Sequence, residues 1–301
     1  MRFATVVALS CLLLARSAPA GSRRCGDDVD GRGTAVPCDC GDVLVSSRTL
    51  GDQDPITQHA CDGTGLIVDL RGDAPAELSL AGRALEGSGQ GIGIQVTGGG
   101  GGLHLKGPGA VRAFGVGIQA LTGALVAASD VLAAENHGDG FQVAGAGYVI
   151  TRCEAVRNGH DGFQLRGRAF RVEGNRALEN GRRGFVIAGR DAVVGGAAGN
   201  EAAGNGRDGL AVHGSGHAVE GAQATANGGP GMRAHVVEGK IKALVAVGNR
   251  GKGLRAAGRD LLVSDSQAQE NRRGGIDAHG TTVRDGGGNR ARDCRVGRPC
   301  K

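Results

Sequence analysis

The chain has 301 residues, 59 of them Gly, with no Trp, one Tyr, six Phe and a formal net charge of +5. Two of those charges are Arg2 and Arg16, and the few rings offer no platform for stacking bases, so no nucleic-acid partner is expected. Glycine without a Gly-X-Y period excludes collagen, and 40% hydrophobic residues suffice for a core if they are placed in order.

Residues 1–20, MRFATVVALSCLLLARSAPA, read as a signal peptide. Arg2 is its basic end, Ala4 to Leu14 its apolar run, and Ala18-Pro19-Ala20 its cleavage site. The run is shorter than the ~20 residues a spanning helix needs, so no membrane span is expected. A secreted or periplasmic protein, cut after Ala20, follows. Seven Cys remain, six of them near the ends, and an oxidising compartment favours their pairing. The expected pairs are Cys25–Cys38, Cys40–Cys61 and Cys294–Cys300, with Cys153 free and buried. Residues 21–65 read as a Cys-rich N-terminal cap and 286–301 as a C-terminal Cys-containing tail.

Between the caps the chain repeats. The pattern Asn-x-x-x-Gly-apolar starts at Asn136, Asn158, Asn180, Asn205, Asn227, Asn249 and Asn271, at intervals of 22, 22, 25, 22, 22 and 22 residues. A three-residue insertion between Gly195 and Glu201 explains the longer interval, and a degenerate copy, AFGVGI, begins at Ala113. After the constant Gly comes an apolar column: Phe141, Phe163, Phe185, Leu210, Met232, Leu254 and Ile276. Two residues on sit Val143, Leu165, Ile187, Val212, Ala234, Ala256 and Ala278, an alternation that marks a strand. Further apolar and small columns complete about three short strands per repeat, with Gly expected to turn the corners at positive φ.

So many glycines exclude helical repeats, and a leucine-dominated consensus is absent. Three short strands in 22 residues fit one coil of an all-β, single-stranded right-handed parallel β-helix, a solenoid expected over 66–285. Coils would stack at about 4.8 Å, the inter-strand spacing of a sheet, so that equivalent residues form ladders. The repeats resemble those of right-handed parallel β-helix repeat proteins, the pectate-lyase-like superfold, whose inward Asn ladder matches the seven Asn residues. The N-terminal stretch is similar to the start of exported bacterial members at Cys40-Gly41, Thr49-Leu50, Cys61, GLIVDL from Gly65 and LSLAGRALEG from Leu78. The resemblance implies the fold and leaves the activity open, because one fold hosts many functions.

The candidate chemistry lies on one turn edge. The third residue after Asn reads Asp139, Asp161, Arg183, Asp208, Pro230, Lys252, Gly274. Asp before Gly is ordinary turn chemistry, yet Asp139 and Asp161 would sit one coil apart, as two carboxylates of a retaining glycosidase do. With His160 and Arg183 they form the candidate catalytic set; His137, Arg182, Arg207 and Asp208 are candidate substrate contacts for a uronate-type glycan. His213, His217 and His235 are weak metal candidates, and the resemblance extends to copper-handling periplasmic accessory proteins. G-x-S-x-G, H-E-x-x-H and P-loop signatures are absent, and no cofactor is expected.

Three functions are therefore carried forward. The first is a non-catalytic structural or binding protein for an acidic polysaccharide or cell-envelope glycan. The second is a polysaccharide lyase or glycoside hydrolase. The third is periplasmic copper handling. Oligomeric state is not legible.

Overall fold

The computed structural model describes residues 23–70, 75–98 and 101–300, so the signal peptide read at 1–20 lies outside the described residues. The chain winds into an all-β parallel solenoid of about 12 turns, with roughly 22 residues per turn. The coil that opens at Phe141 shows the unit: strands Phe141–Ala146, Val149–Thr151 and Glu154–Val156. Each pairs in parallel with its equivalent one coil on, Phe141 beside Phe163, Ile150 beside Val172 and Ala155 beside Ala177. The first strands of the coils form one sheet of 14 strands, from Arg24–Cys25 to Arg298–Pro299. Three disulfides, Cys25–Cys38, Cys40–Cys61 and Cys294–Cys300, brace the two ends.

Period-2 alternation sends Phe141 and Val143 inward and leaves Gln142 half-exposed on the outer face. Repetition at one coil spacing turns each inward residue into a stack. Phe141, Phe163 and Phe185 lie ring over ring, with centroids 4.7 and 4.8 Å apart. Such pairs add about 0.5–1.5 kcal/mol each beyond the area they bury. A second stack, Tyr148 on Phe170 at 4.7 Å, fills the next corner, where the Tyr148 hydroxyl donates to the Arg166 carbonyl at 3.2 Å.

The seven Asn form a continuous ladder, buried from Asn136 to Asn249 and half-buried at Asn271. Asn158 Nδ2 donates to Asn180 Oδ1 at 2.9 Å and to the Ala133 carbonyl at 3.0 Å. Its own Oδ1 accepts from Asn136 Nδ2 at 2.9 Å and from the Asn136 backbone N–H at 3.1 Å. Two donors and two acceptor sites are thus all used, which is what makes a buried amide tolerable. The same pattern continues through Asn205, Asn227 and Asn249 to Asn271.

Three details depart from the sequence reading. The ladder position of the degenerate copy is Phe114, whose N–H donates to Asn136 Oδ1 at 3.0 Å, so the register starts one residue later than Ala113. A column of Cys153, Asn175 and Asn200 lines a second corner, unlike the apolar and small columns expected outside the main ladder. Asn175 Nδ2 donates to Asn200 Oδ1 at 3.1 Å, and Cys153 N–H to Asn175 Oδ1 at 2.9 Å. A short second Asn ladder therefore supports another corner, and the insertion precedes Asn200. Glycine also serves two separate purposes. A Cβ on Gly162 would lie 2.8 Å from the Gly184 carbonyl oxygen and from Asn180 Nδ2, so close approach requires it, whereas Gly189 sits at φ +125°. The bend just before each ladder Asn is left-handed but not reserved for Gly; Glu135, Arg157 and Glu179 adopt it at φ 52° to 57°.

Asn180→Ala should lower the melting temperature more than the exposed Arg182→Ala. An unmade buried hydrogen bond costs about 1–3 kcal/mol, while a surface change stays within about 0.5 kcal/mol. Equal melting temperatures, measured by circular dichroism, would remove the ladder as a source of stability.

Candidate functional site

The turn that precedes each strand of the 14-stranded sheet carries the candidate residues, one set per coil. The structure gives Asp139 and Asp161 a specific local task. Asp139 Oδ1 accepts the Asp161 N–H at 2.8 Å and its Oδ2 accepts from Gln142 Nε2 at 2.7 Å. Asp161 Oδ1 accepts the Arg183 N–H at 2.9 Å, with Arg183 Nη1 3.9 Å from Oδ2. Each carboxylate holds the turn of the next coil, and both are buried rather than solvated. Burial raises the Asp161 carboxyl above its ordinary value, the Arg183 N–H opposes this, and the Asp139 charge reinforces it. The pair thus has the stacking expected of two carboxyls on one edge, with three of its four oxygens engaged in close hydrogen bonds. His137, His160 and Arg182 stand exposed on the same edge.

Farther along this edge lies a groove of about 580 Å³. Arg183, Arg207, Arg233, Arg250, Arg272 and Arg273 line it, together with Asp208 and the small floor Gly228-Gly229-Pro230. The floor is hollow because side chains cannot stand there. A Cβ on Gly228 would meet the Gly206 carbonyl oxygen at 2.2 Å, and one on Gly229 would meet Asp208 Oδ1 at 2.3 Å. Asp208 is taken by Arg233, whose Nε donates to Oδ2 at 2.9 Å. Arg207, Arg250, Arg272 and Arg273 face no carboxylate among the described residues, and the Nε of Arg183 is buried with no hydrogen-bond partner.

On other faces several charges one coil apart are opposite, although Arg168 and Arg190 are register partners of like charge. Arg152 pairs with Asp130 at 2.7 Å, Arg157 with Glu135 at 2.8 Å, Arg176 with both Glu154 and Glu201, and Lys242 with Glu220 at 3.0 Å. Along this edge two arginine pairs lie one coil apart: Arg207 follows Arg182, with its N–H on the Arg182 carbonyl at 2.7 Å, and Arg272 follows Arg250, while Gly229 and Gly251 hold the Arg207 position in the two coils after it. Like charges on neighbouring turns repel, so these pairs add nothing to the stability of the coil stack.

The three His candidates do not converge. His213 and His235 stack on the outer face of the sheet with ring centroids 5.7 Å apart. His217 is buried; Nδ1 accepts the Ala192 N–H at 3.2 Å and Nε2 donates to the His213 carbonyl at 3.0 Å. Both ring nitrogens of His217 are used within the fold, so it has no free lone pair for a metal. One further group, Asp39, Cys40 and His59, lies close together, but Cys40 is bonded to Cys61 and offers no thiolate. Buried Cys153 has its thiol pushed up to about 12 by desolvation, which keeps it unreactive at neutral pH.

Residues 116–298 match the family described as the right handed beta helix region. The chain belongs to the right-handed β-helix family. No curated protein matches it. Among solved structures, this β-helix is similar to the Dettilon tailspike protein, at 14% identity and a TM-score of 0.43, over 75% of this chain and 47% of that one. The chain therefore spans about half the length of the tailspike. It is also similar to the A-module of mannuronan C-5 epimerase from Azotobacter vinelandii, at 14% identity and TM-score 0.37, over 89% and 86% of the two chains. A third is the catalytic unit of an α-1,3-glucanase from Streptomyces thermodiastaticus, at 13% identity and TM-score 0.37, over 91% and 69%. At these identities the likeness is one of fold.

Sequence reasoning reached Arg183, Arg207 and Asp208 but passed over Arg233, Arg250, Arg272 and Arg273. The signal was present in the repeats themselves, as NRGKG from Asn249 and NRRGG from Asn271, which place basic residues at the same turn edge.

A carboxyl whose folded pKa lies above its unfolded value of about 3.9 favours the fold most in acid, and that contribution is lost as pH rises through the folded value. Asp161→Asn keeps an acceptor for the Arg183 N–H and removes the buried charge. It should therefore melt at or above the wild-type temperature at pH 7 and lose that advantage near pH 4. A fall of several degrees at pH 7 would show that pairing with Arg183 outweighs burial.

Proposed function

We propose that this is an exported, non-catalytic β-helix that binds an acidic polysaccharide, such as a cell-envelope glycan, along its arginine-lined edge. One observation carries the reading: six guanidinium groups surround a groove that holds a single carboxylate, itself engaged by Arg233. From the turn of Asn180 to that of Asn271 the row spans four coil rises, roughly 19 Å at the inter-strand spacing. That length suits a chain of repeated anions better than one compact anion. Guanidinium groups bind carboxylate and sulfate oxygens through paired donors. The disulfides fit an oxidising compartment, secreted or periplasmic, and support export.

A second reading, lyase or glycoside hydrolase action on uronate-type glycans, rests on the Asp161 carboxyl, whose pKa burial raises beside Asp139. In that reading Asp139, Asp161, His160 and Arg183 carry the chemistry, and His137, Arg182, Arg207 and Asp208 hold substrate. The close hydrogen bonds on three of the four carboxylate oxygens favour a structural task for the pair and so favour binding. Copper handling is not carried further, because His217 spends both ring nitrogens on the fold.

Titration of the purified protein with polygalacturonate and with neutral dextran decides between binding and cleavage. The first reading expects saturable binding of the polyuronate, no shortening of it, and about tenfold weaker binding by Arg250→Ala/Arg272→Ala/Arg273→Ala, since exposed charge contacts contribute up to about 1 kcal/mol each. Equal affinity for dextran would contradict it. Shortening of the polymer that disappears in Asp161→Asn would establish the second reading.

A further inference from the structure

The stacked pair His213 and His235 stands beside the arginine groove, and among the described residues neither imidazole makes a hydrogen bond or ion pair. His213 lies on strand Leu210–Ser215 and His235 on strand Met232–Val237. The two are register partners, and so are Ala211 and Arg233, two residues earlier on the same outward face. The ring of His235 is therefore about two residues along one strand from the guanidinium of Arg233, roughly 7 Å of backbone. His213 is half-buried and His235 exposed. The charged groups that face His213 are His235, Arg183 and Arg233, which oppose a proton, and Asp208, which favours one. Asp208 is already bonded to Arg233, and Asp139 and Asp161 lie beyond Arg183 on the same edge. Arg255, the register partner of Arg233 on the next strand, adds a further positive charge. The two imidazoles stand 5.7 Å apart amid this set.

We infer that His213 and His235 couple polyanion capture to proton uptake, so that the groove holds its ligand more tightly as the medium becomes acidic. The inference rests on the proposed function and adds its regulation. A polyanion lying across Arg183 and Arg233 cancels the charge that opposes a proton on His213 and adds negative charge of its own. Both changes favour the imidazolium, and an imidazolium facing the ligand adds a further donor. By linkage, a ligand that raises the affinity for protons is bound more tightly when protons are abundant. The sign follows directly: His213, held low in the free protein by burial and by its positive neighbours, is raised in the complex. Affinity therefore climbs as pH falls through the bound-state value and levels off below the free-state value.

The test is isothermal titration with a sulfated dextran oligosaccharide, whose own charge is constant between pH 5.5 and pH 8. The expected wild-type result is tightening by about tenfold across that range, the effect of raising one imidazole by one pH unit. It should be accompanied by proton uptake, seen as a binding enthalpy that varies with the ionisation enthalpy of the buffer. In His213→Gln/His235→Gln the tightening and the buffer dependence should both disappear, while His104→Gln, on strand Leu103–Arg112 outside the 14-stranded sheet, should retain them. Binding that is equally tight at both pH values overturns the coupling and leaves the groove as the binding site. Tightening that persists in His213→Gln/His235→Gln assigns the proton to another group and also overturns it. Failure of the wild type to bind at either pH overturns the groove itself.

Discussion

Everything in this molecule depends on one distance, the rise between successive coils, and on the buried Asn ladder that holds it. An Asn amide has two donors and two acceptor sites, and the ladder satisfies all four only when each coil lies directly over the last. Asn158 shows the arrangement, with Asn136 before it, Asn180 after it and the Ala133 carbonyl at its side. A slip by one residue would strand the amide in an apolar core and turn Phe163 and Leu165 outward, so polar satisfaction and apolar burial enforce the same register. The phenylalanine stack is a consequence: rings 4.7 Å apart are what a parallel coil makes of a repeated Phe.

The same constraint multiplies surface chemistry. A side chain at one turn position recurs one coil later, beside its counterpart. On most of the solenoid this repetition is used to place opposite charges together, as at Arg152 with Asp130 and Arg176 with Glu154. On the groove edge it places Arg182 beside Arg207 and Arg250 beside Arg272. These arginines gain no stability from neighbouring carboxylates, and under the proposed function a polyanionic ligand supplies the missing anions. The hollow at Gly228-Gly229-Pro230 gives that ligand room, and it exists because the backbone beneath leaves no place for a Cβ. His213 and His235 inherit their position from the same register, stacked because their strands are.

Much of this was legible in the sequence because the period is nearly constant. Seven Asn at almost uniform intervals define the coil, the ladder and the inward columns without any knowledge of contacts. What escaped was whatever departs from the period. Asn200 went unnoticed as a ladder residue because the insertion moves it three places, and Phe114 because the first copy lacks Asn. The carboxylates were legible as a pair on one edge, but not as buried acceptors for the next turn, since a residue three places after Asn gives no sign of where its oxygens point. The groove was half legible: the basic residues of NRGKG and NRRGG are plain in the repeats, but their convergence depends on a missing side chain, the glycine floor, and absences are hard to read as shape.

The most direct test of the central claim is a hydrogen-exchange footprint of the protein with and without a sulfated oligosaccharide. Occupation of the groove predicts slowed exchange in the turns and strand starts at 205–211, 227–233 and 249–255, with the ion-paired strands at 149–156 and 171–178 unchanged. Protection confined to those ion-paired strands, or spread evenly along the solenoid, would contradict the account.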